Sequence, residues 1–394
     1  MEKIKIVIVG GGFGGVYTAK NLCKYFDKNK IEITLINRSN YFLFTPLLHE
    51  VATGGLTADS IREPIREVFR NCPVNIIEDT VVEMDKVNKI VKTINTSYVY
   101  DYLVVATGAE TNYFNTPGAK EHTFALKNLS DASSLRNHIV QTCEQAVLTK
   151  NKDMLVTSII GAGPTGVELA AELQEYMQHT IFTYYNTSHF KKEDIKVILV
   201  TATPDIISQF PPKMRIVAAK ELNKRGIEIK ANTIVVKVEP SQLSFKDGTT
   251  MKSHTIVWVA GVTAGASGRL EINESLQTTS NPEVFALGDT AGKCPMLAQV
   301  AVQQAKVVAY NIHALIEKKK LRIFIFKQKG LLISIGQWYA IGNFFGLTFR
   351  GRIMWLIWRT VYLLNFISWR KRFEIAFEWT MNLFSPRDIG RDGV

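Results

Sequence analysis

Ile4-Lys5-Ile6-Val7-Ile8-Val9-Gly10-Gly11-Gly12-Phe13-Gly14-Gly15 opens the chain, and Val16-Tyr17-Thr18-Ala19-Lys20-Asn21-Leu22 follows. Ile4 to Val9 is an almost continuous apolar, β-branched run, the pattern of a strand buried on both faces of a parallel sheet. Gly10, Gly12 and Gly15 then fall at G-x-G-x-x-G spacing. The first permits a tight turn, the second leaves no Cβ to hold off a pyrophosphate, and the third lets the next helix pack close to the strand. The free N–H groups where that helix starts, among Phe13 and Gly14, are a natural phosphate seat. Alone the motif is weak. Its place between a strand and a helix, with a second copy downstream, predicts a dinucleotide site.

The second copy is Val156 to Ile160 followed by Gly161-Ala162-Gly163-Pro164-Thr165-Gly166-Val167-Glu168-Leu169-Ala170-Ala171-Glu172-Leu173. Two such units predict two dinucleotides, most simply FAD in the first and a nicotinamide cofactor in the second. The fold expected is α/β, with two Rossmann-like dinucleotide-binding domains and a C-terminal region of amphipathic helices. Residues 1–112 with 254–320 form the expected FAD domain, 113–253 the NAD(P)H domain, and 321–394 the C-terminal membrane-association region. Gly261 lies where the chain returns to the first domain.

The strand Ile31 to Ile36 normally ends in an acid that accepts from a ribose hydroxyl. Here it ends in Asn37, with Arg38 beside it. An amide still accepts one bond but brings no charge. The corresponding residue of the second unit is Thr201, with neither an acid nor an arginine up to Pro204. That favours NADH and leaves NADPH open.

Three further stretches bear on the cofactors. Tyr102 to Val105 is a buried strand stopping at Ala106-Thr107-Gly108, where backbone can approach a ligand. Val284 to Leu287 ends in Gly288-Asp289, and Asp289 can accept from a ribityl hydroxyl or cap a helix. Pro295 to Lys306 reads as a helix with Gln299 and Gln303 on one face, four residues apart. Those amides can meet quinone carbonyls or flank a flavin. Glu168, two residues beyond the last glycine, is expected in the first turn of the helix, where the helix dipole favours it, and it can also face the nicotinamide and the flavin. Asn40 to Gly54 is an apolar loop with a Pro break that leads into a helix. His49 within it can carry a proton, but reads more simply as a satisfied structural histidine. Residues 174–195 are a polar, aromatic insertion with no assignable chemistry, and Lys246 to Thr249 is a hairpin turn.

The chain has 394 residues, 46% hydrophobic and 21% charged, with a net charge of +11, so two or three globular domains are expected. The charge is concentrated: Arg350 to Arg372 holds six basic residues and no acidic one, among aromatics. Such a surface suits an anionic partner. The four cysteines, Cys23, Cys72, Cys143 and Cys294, form no C-x-x-C, so neither a dithiol centre nor a zinc site is expected. They read as four reduced thiols in a cytosolic protein. The sheet begins within a few residues of Met1, which leaves no room for a signal peptide.

Gly330 to Phe349 carries no charge and is long enough for a transmembrane helix. Gly330, Gly336, Gly342 and Gly346 weaken a helix and suit short strands joined by turns. Gly351 to Phe384 interleaves Trp355, Trp358, Tyr362, Phe366, Trp369, Phe373, Phe377 and Trp379 with Arg352, Arg359, Arg370, Lys371 and Arg372. Aromatics with a basic face describe helices lying in a membrane interface, and residues 351–384 are the expected contact with anionic lipid. Nucleic acid is disfavoured, because so apolar a face lacks base-reading side chains.

The order of motifs resembles the two-dinucleotide flavoproteins that include glutathione reductase and, within them, the type II NADH:quinone oxidoreductases. The matching pieces are Val9–Gly15, Phe44-Thr45-Pro46-Leu47-Leu48 with Glu50-Val51-Ala52, Ala106-Thr107-Gly108, Gly161–Leu173, Gly288-Asp289 and Ala298-Gln299-x-Ala301-x-Gln303. The resemblance implies tight FAD, oxidation of NADH, and reduction of a membrane quinone without proton pumping. It implies that Glu168 lies near the nicotinamide–flavin contact and assists proton delivery or nicotinamide gating. It implies quinone contacts for Gln299 and Gln303, and a place beside the flavin ring for Thr45, Pro46 and Leu47. A homodimer, peripheral on the cytoplasmic face of the cell membrane, is expected. The rivals are a sulfide:quinone reductase, which needs reactive cysteines at the flavin, and a flavoprotein without turnover that senses NAD(P)H at a membrane.

Overall fold

The computed structural model describes residues 3–26, 29–185, 190–265, 267–292 and 294–391. The chain forms two compact units. One is Met1–Leu43, Arg62–Glu110 and Thr263–Lys327; the other is Phe44–Ile61, Thr111–Val262 and Gln328–Val394.

In the first unit five parallel strands run in the order Val284–Ala286, Tyr102–Val105, Ile4–Val9, Ile31–Asn37, Val74–Glu78. The Ile4–Val9 strand is central, and its last four residues are buried. Both faces are therefore covered, as its unbroken apolar run demands. Val9 pairs with Ile36 on one side and Val105 on the other. The three strands end level, so the turns at Gly10, Asn37 and Ala106 open at one edge, where doubly wound sheets bind ligands. The helices Phe13–Tyr25 and Ala298–Ile316 pack against each other.

Cys23 and Cys72 form a disulfide with their Cα atoms 6.2 Å apart, whereas the sequence pointed to four reduced thiols. Their separation of 49 residues hides the pairing from any spacing rule. Folding brings the end of the Phe13–Tyr25 helix to the turn before Val74. Cys143 and Cys294 are free.

The second unit repeats the plan with four parallel strands in the order Glu228–Lys230, Lys196–Val200, Val156–Ile160, Thr255–Trp258. The helix Pro164–Glu175 follows its glycine loop and runs on through a π-turn at Tyr176–Ile181 into Phe182–Tyr184. Much of the 174–195 insertion is thus a continuation of that helix; residues 186–189 lie outside the described residues. The hairpin joining Gln242–Phe245 to Thr250–Lys252 turns at Gly248, with φ +86°.

The uncharged stretch from Gly330 is an antiparallel sheet of Leu331–Ser334, Ala340–Phe344 and Leu347–Gly351. Among the described residues no helix is long and apolar enough to cross a membrane. Two helices follow, Arg352–Asn365 and Trp369–Met381.

Candidate functional site

Each parallel sheet delivers its central strand into a glycine turn. Gly10 and Gly161 have φ of +108° and +110°, which side-chain-bearing residues rarely adopt. A Cβ on Gly15 would overlap the Gly10 carbonyl oxygen, and one on Gly166 the Gly161 oxygen, so both helices need glycine to leave the sheet. A Cβ on Gly12 or Gly163 would meet nothing within 4 Å. These two residues are the helix N-caps. Neither helix start has a capping side chain or an acid in its first turn; Glu168, expected there, is the fifth residue of its helix and lies in the second turn. Open backbone and uncompeted N–H groups fit a pyrophosphate, so both seats accept a dinucleotide on their own geometry. Pro164 supplies the favoured first helical residue of the second unit, and Thr165 beside it is exposed.

Asn37 explains itself locally. Its Oδ1 accepts from the Gly11 N–H at 2.8 Å, while its Nδ2 donates to the Ser39 carbonyl at 2.8 Å and the Ser39 hydroxyl at 3.1 Å. An acid could do the first but not the second. Arg38 next to it is exposed. Thr107 Oγ1 lies 2.7 Å from Ser267 Oγ and 3.3 Å from Thr290 Oγ1. Gly108 has φ +71° with open space where its Cβ would be. Gly288 N–H donates to Gln304 Oε1 at 2.7 Å, and half-buried Asp289 sits in the turn Gly288–Thr290. In the second unit, Thr201 Oγ1 shares a hydrogen bond with Thr203 Oγ1 at 2.8 Å. Gly261, at φ +89°, is crowded by the Phe114 ring.

Ala298 and Gln299 open the helix Ala298–Ile316, and both are half-buried. Gln303 donates to the Lys327 carbonyl at 2.9 Å and accepts from the Lys327 N–H at 3.1 Å, so its amide clamps the backbone after the helix. Gln304, one residue on, is the fully buried amide that holds the Gly288 turn. The sequence reading passed over it. Its signal was position: it shares the apolar face of Val300, Ala301 and Ala305.

The second unit also contains a line of buried charge. Glu168, Glu172 and Glu175 lie on one face of the Pro164–Glu175 helix, four and three residues apart. Glu168 Oε1 accepts from the Ser334 N–H at 3.1 Å. Burial, with the Glu50 and Glu172 carboxyls adding to it against that bond, pushes Glu168 up to about 8. Glu50 Oε2 accepts from the Trp379 indole N–H at 2.5 Å, and burial followed by Glu172 pushes Glu50 up to about 7. Glu172 goes the other way: against its burial, the Arg387 guanidinium at 2.6 Å holds it below the usual carboxylate range. Glu175 accepts from Arg387 at 3.3 Å, from Arg225 at 3.4 Å and from the Gln337 N–H at 2.8 Å.

His49, on the short helix Leu48–Ala52, is 2% exposed, and burial pushes it down to about 4. It is therefore neutral near pH 7. Its Nε2 has no hydrogen-bond partner among the described residues. Just before it, Thr45-Pro46-Leu47 forms a single 3₁₀ turn, with Leu47 buried, Pro46 half-buried and Thr45 exposed. Phe44 packs on Phe366 at 4.2 Å. Arg359, expected on the basic outer face, instead stacks over Trp355 at 3.7 Å and Trp379 at 4.7 Å. The acidic line draws it inward, with Glu50 and Glu172 favouring its charge against burial, which lowers it to about 10. No grouping of His, Cys, Asp and Glu among the described residues could hold a metal ion.

The comparisons agree in kind. The family model for pyridine nucleotide-disulphide oxidoreductases matches residues 4–305, and that for the NDH2 C-terminal domain matches residues 328–388. A type II NADH:quinone oxidoreductase of Mycobacterium tuberculosis is 31% identical over 97% of this chain and 89% of its own. The structure of NDH2 from Plasmodium falciparum in complex with NADH superposes with a TM-score of 0.89 at 20% identity, covering 99% of this chain and all of the other. The sulfide:quinone oxidoreductase of Aquifex aeolicus superposes with a TM-score of 0.74 at 19% identity, over 99% of this chain and 93% of that one. Likeness at that level speaks to fold alone.

Proposed function

This chain belongs to the pyridine nucleotide-disulphide oxidoreductases and, within them, to the type II NADH:quinone oxidoreductases, and from that membership we propose a division of labour among its residues. The reaction is the FAD-dependent oxidation of NADH with two-electron reduction of a quinone. FAD, held at the Gly10–Gly15 turn, would supply the hydride acceptance from NADH and the two-electron delivery to the quinone. The hydride brings one proton, so forming the quinol takes one more. The observation that carries the reading is the pair of glycine turns, each open at Gly12 or Gly163 and each ending an all-parallel sheet.

Residues 1–112 with 254–320 hold FAD. Gly10, Gly12, Phe13, Gly14 and Gly15 seat the pyrophosphate, and Asn37 and Arg38 stand on the ribose side. Ala106, Thr107, Gly108, Gly288 and Asp289 form the edge toward the ribityl chain, while Ala298 and Gln299 flank the flavin. Residues 113–253 hold the nicotinamide cofactor through Gly161, Gly163, Pro164, Thr165, Gly166 and Thr201, with Gly261 at the return. Glu168 is the proton carrier. Buried and uncharged at neutral pH, it gives its proton to the quinone oxygen and regains one from solvent. Gln299 contacts the quinone, and Gln303 fixes the helix that presents it. Thr45, Pro46 and Leu47 shape the loop beside the ring.

The tail docks on lipid. Trp369, Phe373, Phe377 and Met381 recur every fourth residue on the last helix, and all are exposed. Ile353, Leu356, Ile357 and Leu364 are exposed on the preceding helix, whose opposite side buries Met354, Trp355 and Trp358. Arg350, Arg352 and Arg370 are exposed beside them, each worth about 1 kcal/mol near an anionic leaflet. Residues 321–394 thus make a peripheral protein of the cytoplasmic membrane face, with the homodimer implied by the family.

Anaerobic mixing with NADH, then separately with NADPH, followed by a short-chain quinone, tests the reading through the flavin absorbance. Fast bleaching by NADH and recovery with quinone is expected. No bleaching by either nucleotide would overturn it.

A further inference from the structure

Three carboxyls on one dry helix face do not all ionise. What decides which of them keeps a proton is the set of charges and donors facing them. Burial, Glu50, Glu172 and the Ser334 N–H act on Glu168, with the Trp358 and Tyr362 side chains of the Arg352–Asn365 helix on the same side. Burial, Arg387 and Arg359 act on Glu172, and His49, neutral near pH 7, also faces it. Arg225 and the Gln337 N–H take the outer end of the line at Glu175. No cation pairs with Glu168 among the described residues.

Arg387 comes from the last residues of the chain, beyond the lipid-facing helices. It is held on every side: Nη2 pairs with Glu172 at 2.6 Å and Glu175 at 3.3 Å, Nη1 donates to Thr53 Oγ1 at 3.1 Å, and its backbone N–H donates to Thr180 Oγ1 at 3.2 Å. Next to it, the Asp388 carboxylate pairs with Arg136 at 2.6 Å. The residue is 7% exposed. So costly a burial of charge is sustained by its two carboxylates.

We propose that Arg387 is a positioning residue of the quinone half-reaction: by neutralising Glu172 as a carboxylate it leaves the transferable proton on Glu168, one helical turn away. The inference rests on Glu168 being the proton carrier. Its chemistry is a matter of charge order. Ionised Glu172 repels charge on Glu168 and keeps Glu168 in its acid form. Without Arg387, the buried Glu172 takes up a proton of its own, the repulsion vanishes, and Glu168 becomes a stronger acid.

The test is the pH dependence of flavin reoxidation by a short-chain quinone, together with the infrared intensity of protonated carboxyls in the oxidised protein without NADH. Glu172→Gln and Arg387→Met should each move the alkaline limb of reoxidation down by roughly one pH unit. Arg387→Met should add about one protonated carboxyl per chain at pH 5.5, where Glu168 keeps its proton in both proteins and Glu172 is the group that changes, and Arg387→Lys should restore the wild-type limb. If Arg387→Met does not fold, the double variant Glu172→Gln/Arg387→Met removes both charges and is expected to show the same downward shift. An unmoved limb in Glu172→Gln and the folded Arg387 variants, with no added carboxyl, overturns the proposal. Glu168→Gln separates the two failures: if it abolishes the limb while the others leave it alone, only the role of Arg387 is lost. If it too leaves the limb in place, the carrier itself is misassigned.

Discussion

The indole N–H of Trp379 donates to the Glu50 carboxyl at 2.5 Å and ties the last helix of the chain to the short helix after Pro46. This bond favours the ionised carboxyl. Trp379→Phe should therefore raise the Glu50 pKa further above about 7. Losing a buried bond to a charged group costs on the order of 1–3 kcal/mol. The loss should be larger at pH 8.5, where Glu50 is ionised, than at pH 6. Denaturant unfolding at the two pH values checks it; equal losses would contradict it.

Glu168 makes a matching prediction for stability. Its folded pKa, about 8, lies above its ordinary value of 4.5. A carboxyl shifted upward stabilises the fold fully below its unfolded pKa, and that stability drains away as pH rises through the folded one. Wild type should lose stability between about pH 5 and 9, with Glu50 contributing the lower part of the window. Glu168→Gln should flatten the upper part and melt higher than wild type at pH 9. Thermal melts across that range decide it.

Asn37→Asp restores the acid usual at this strand end, yet it should weaken the protein. The new carboxylate would lose both amide donations and face the Ser39 carbonyl that Nδ2 now binds at 2.8 Å. A cost of about 1–3 kcal/mol and a lower flavin content are expected. Unfolding and the flavin-to-protein absorbance ratio are the measurements.

The Cys23–Cys72 bridge closes a loop between positions 49 apart, and removing it should cost about 2–4 kcal/mol. Cys23→Ser should lower the denaturation midpoint to that of reduced wild type. Denatured wild-type protein should titrate two thiols before reduction and four after it.

What was legible in the sequence was whatever local pattern dictates. The runs Ile4–Val9 and Val156–Ile160, each with its glycine triplet, specified two strand–turn–helix units, and the glycines after Gly330 specified strands in place of a membrane span. What stayed hidden depends on partners far along the chain. Glu172 and Glu175 could have been noticed as helical neighbours of Glu168, but nothing local pairs Glu172 with Arg387, 215 residues away. Arg359 read as an outward charge because its pattern is amphipathic; the buried acids and two tryptophan faces turn it inward. Gln303 and Gln304 differ by one helical step. That step separates an amide clamping Lys327 from one holding Gly288, and spacing alone did not resolve the direction.

Phe373→Glu/Phe377→Glu should abolish sedimentation with vesicles of mixed neutral and anionic lipid. Each exposed ring contributes roughly 1.5–3 kcal/mol on burial, so the pair accounts for at least a hundredfold in partitioning. Retained sedimentation would place the docking face elsewhere.

The most direct test is single-turnover reoxidation of NADH-reduced protein by a short-chain quinone, comparing wild type with Glu168→Gln from pH 6 to 9. A positioned general acid contributes about 10²–10⁴-fold. Glu168→Gln should slow reoxidation by about a hundredfold or more and lose the alkaline limb near pH 8, while bleaching by NADH changes far less. Reoxidation at the wild-type rate with the wild-type pH profile would contradict the assignment of Glu168 as the proton carrier.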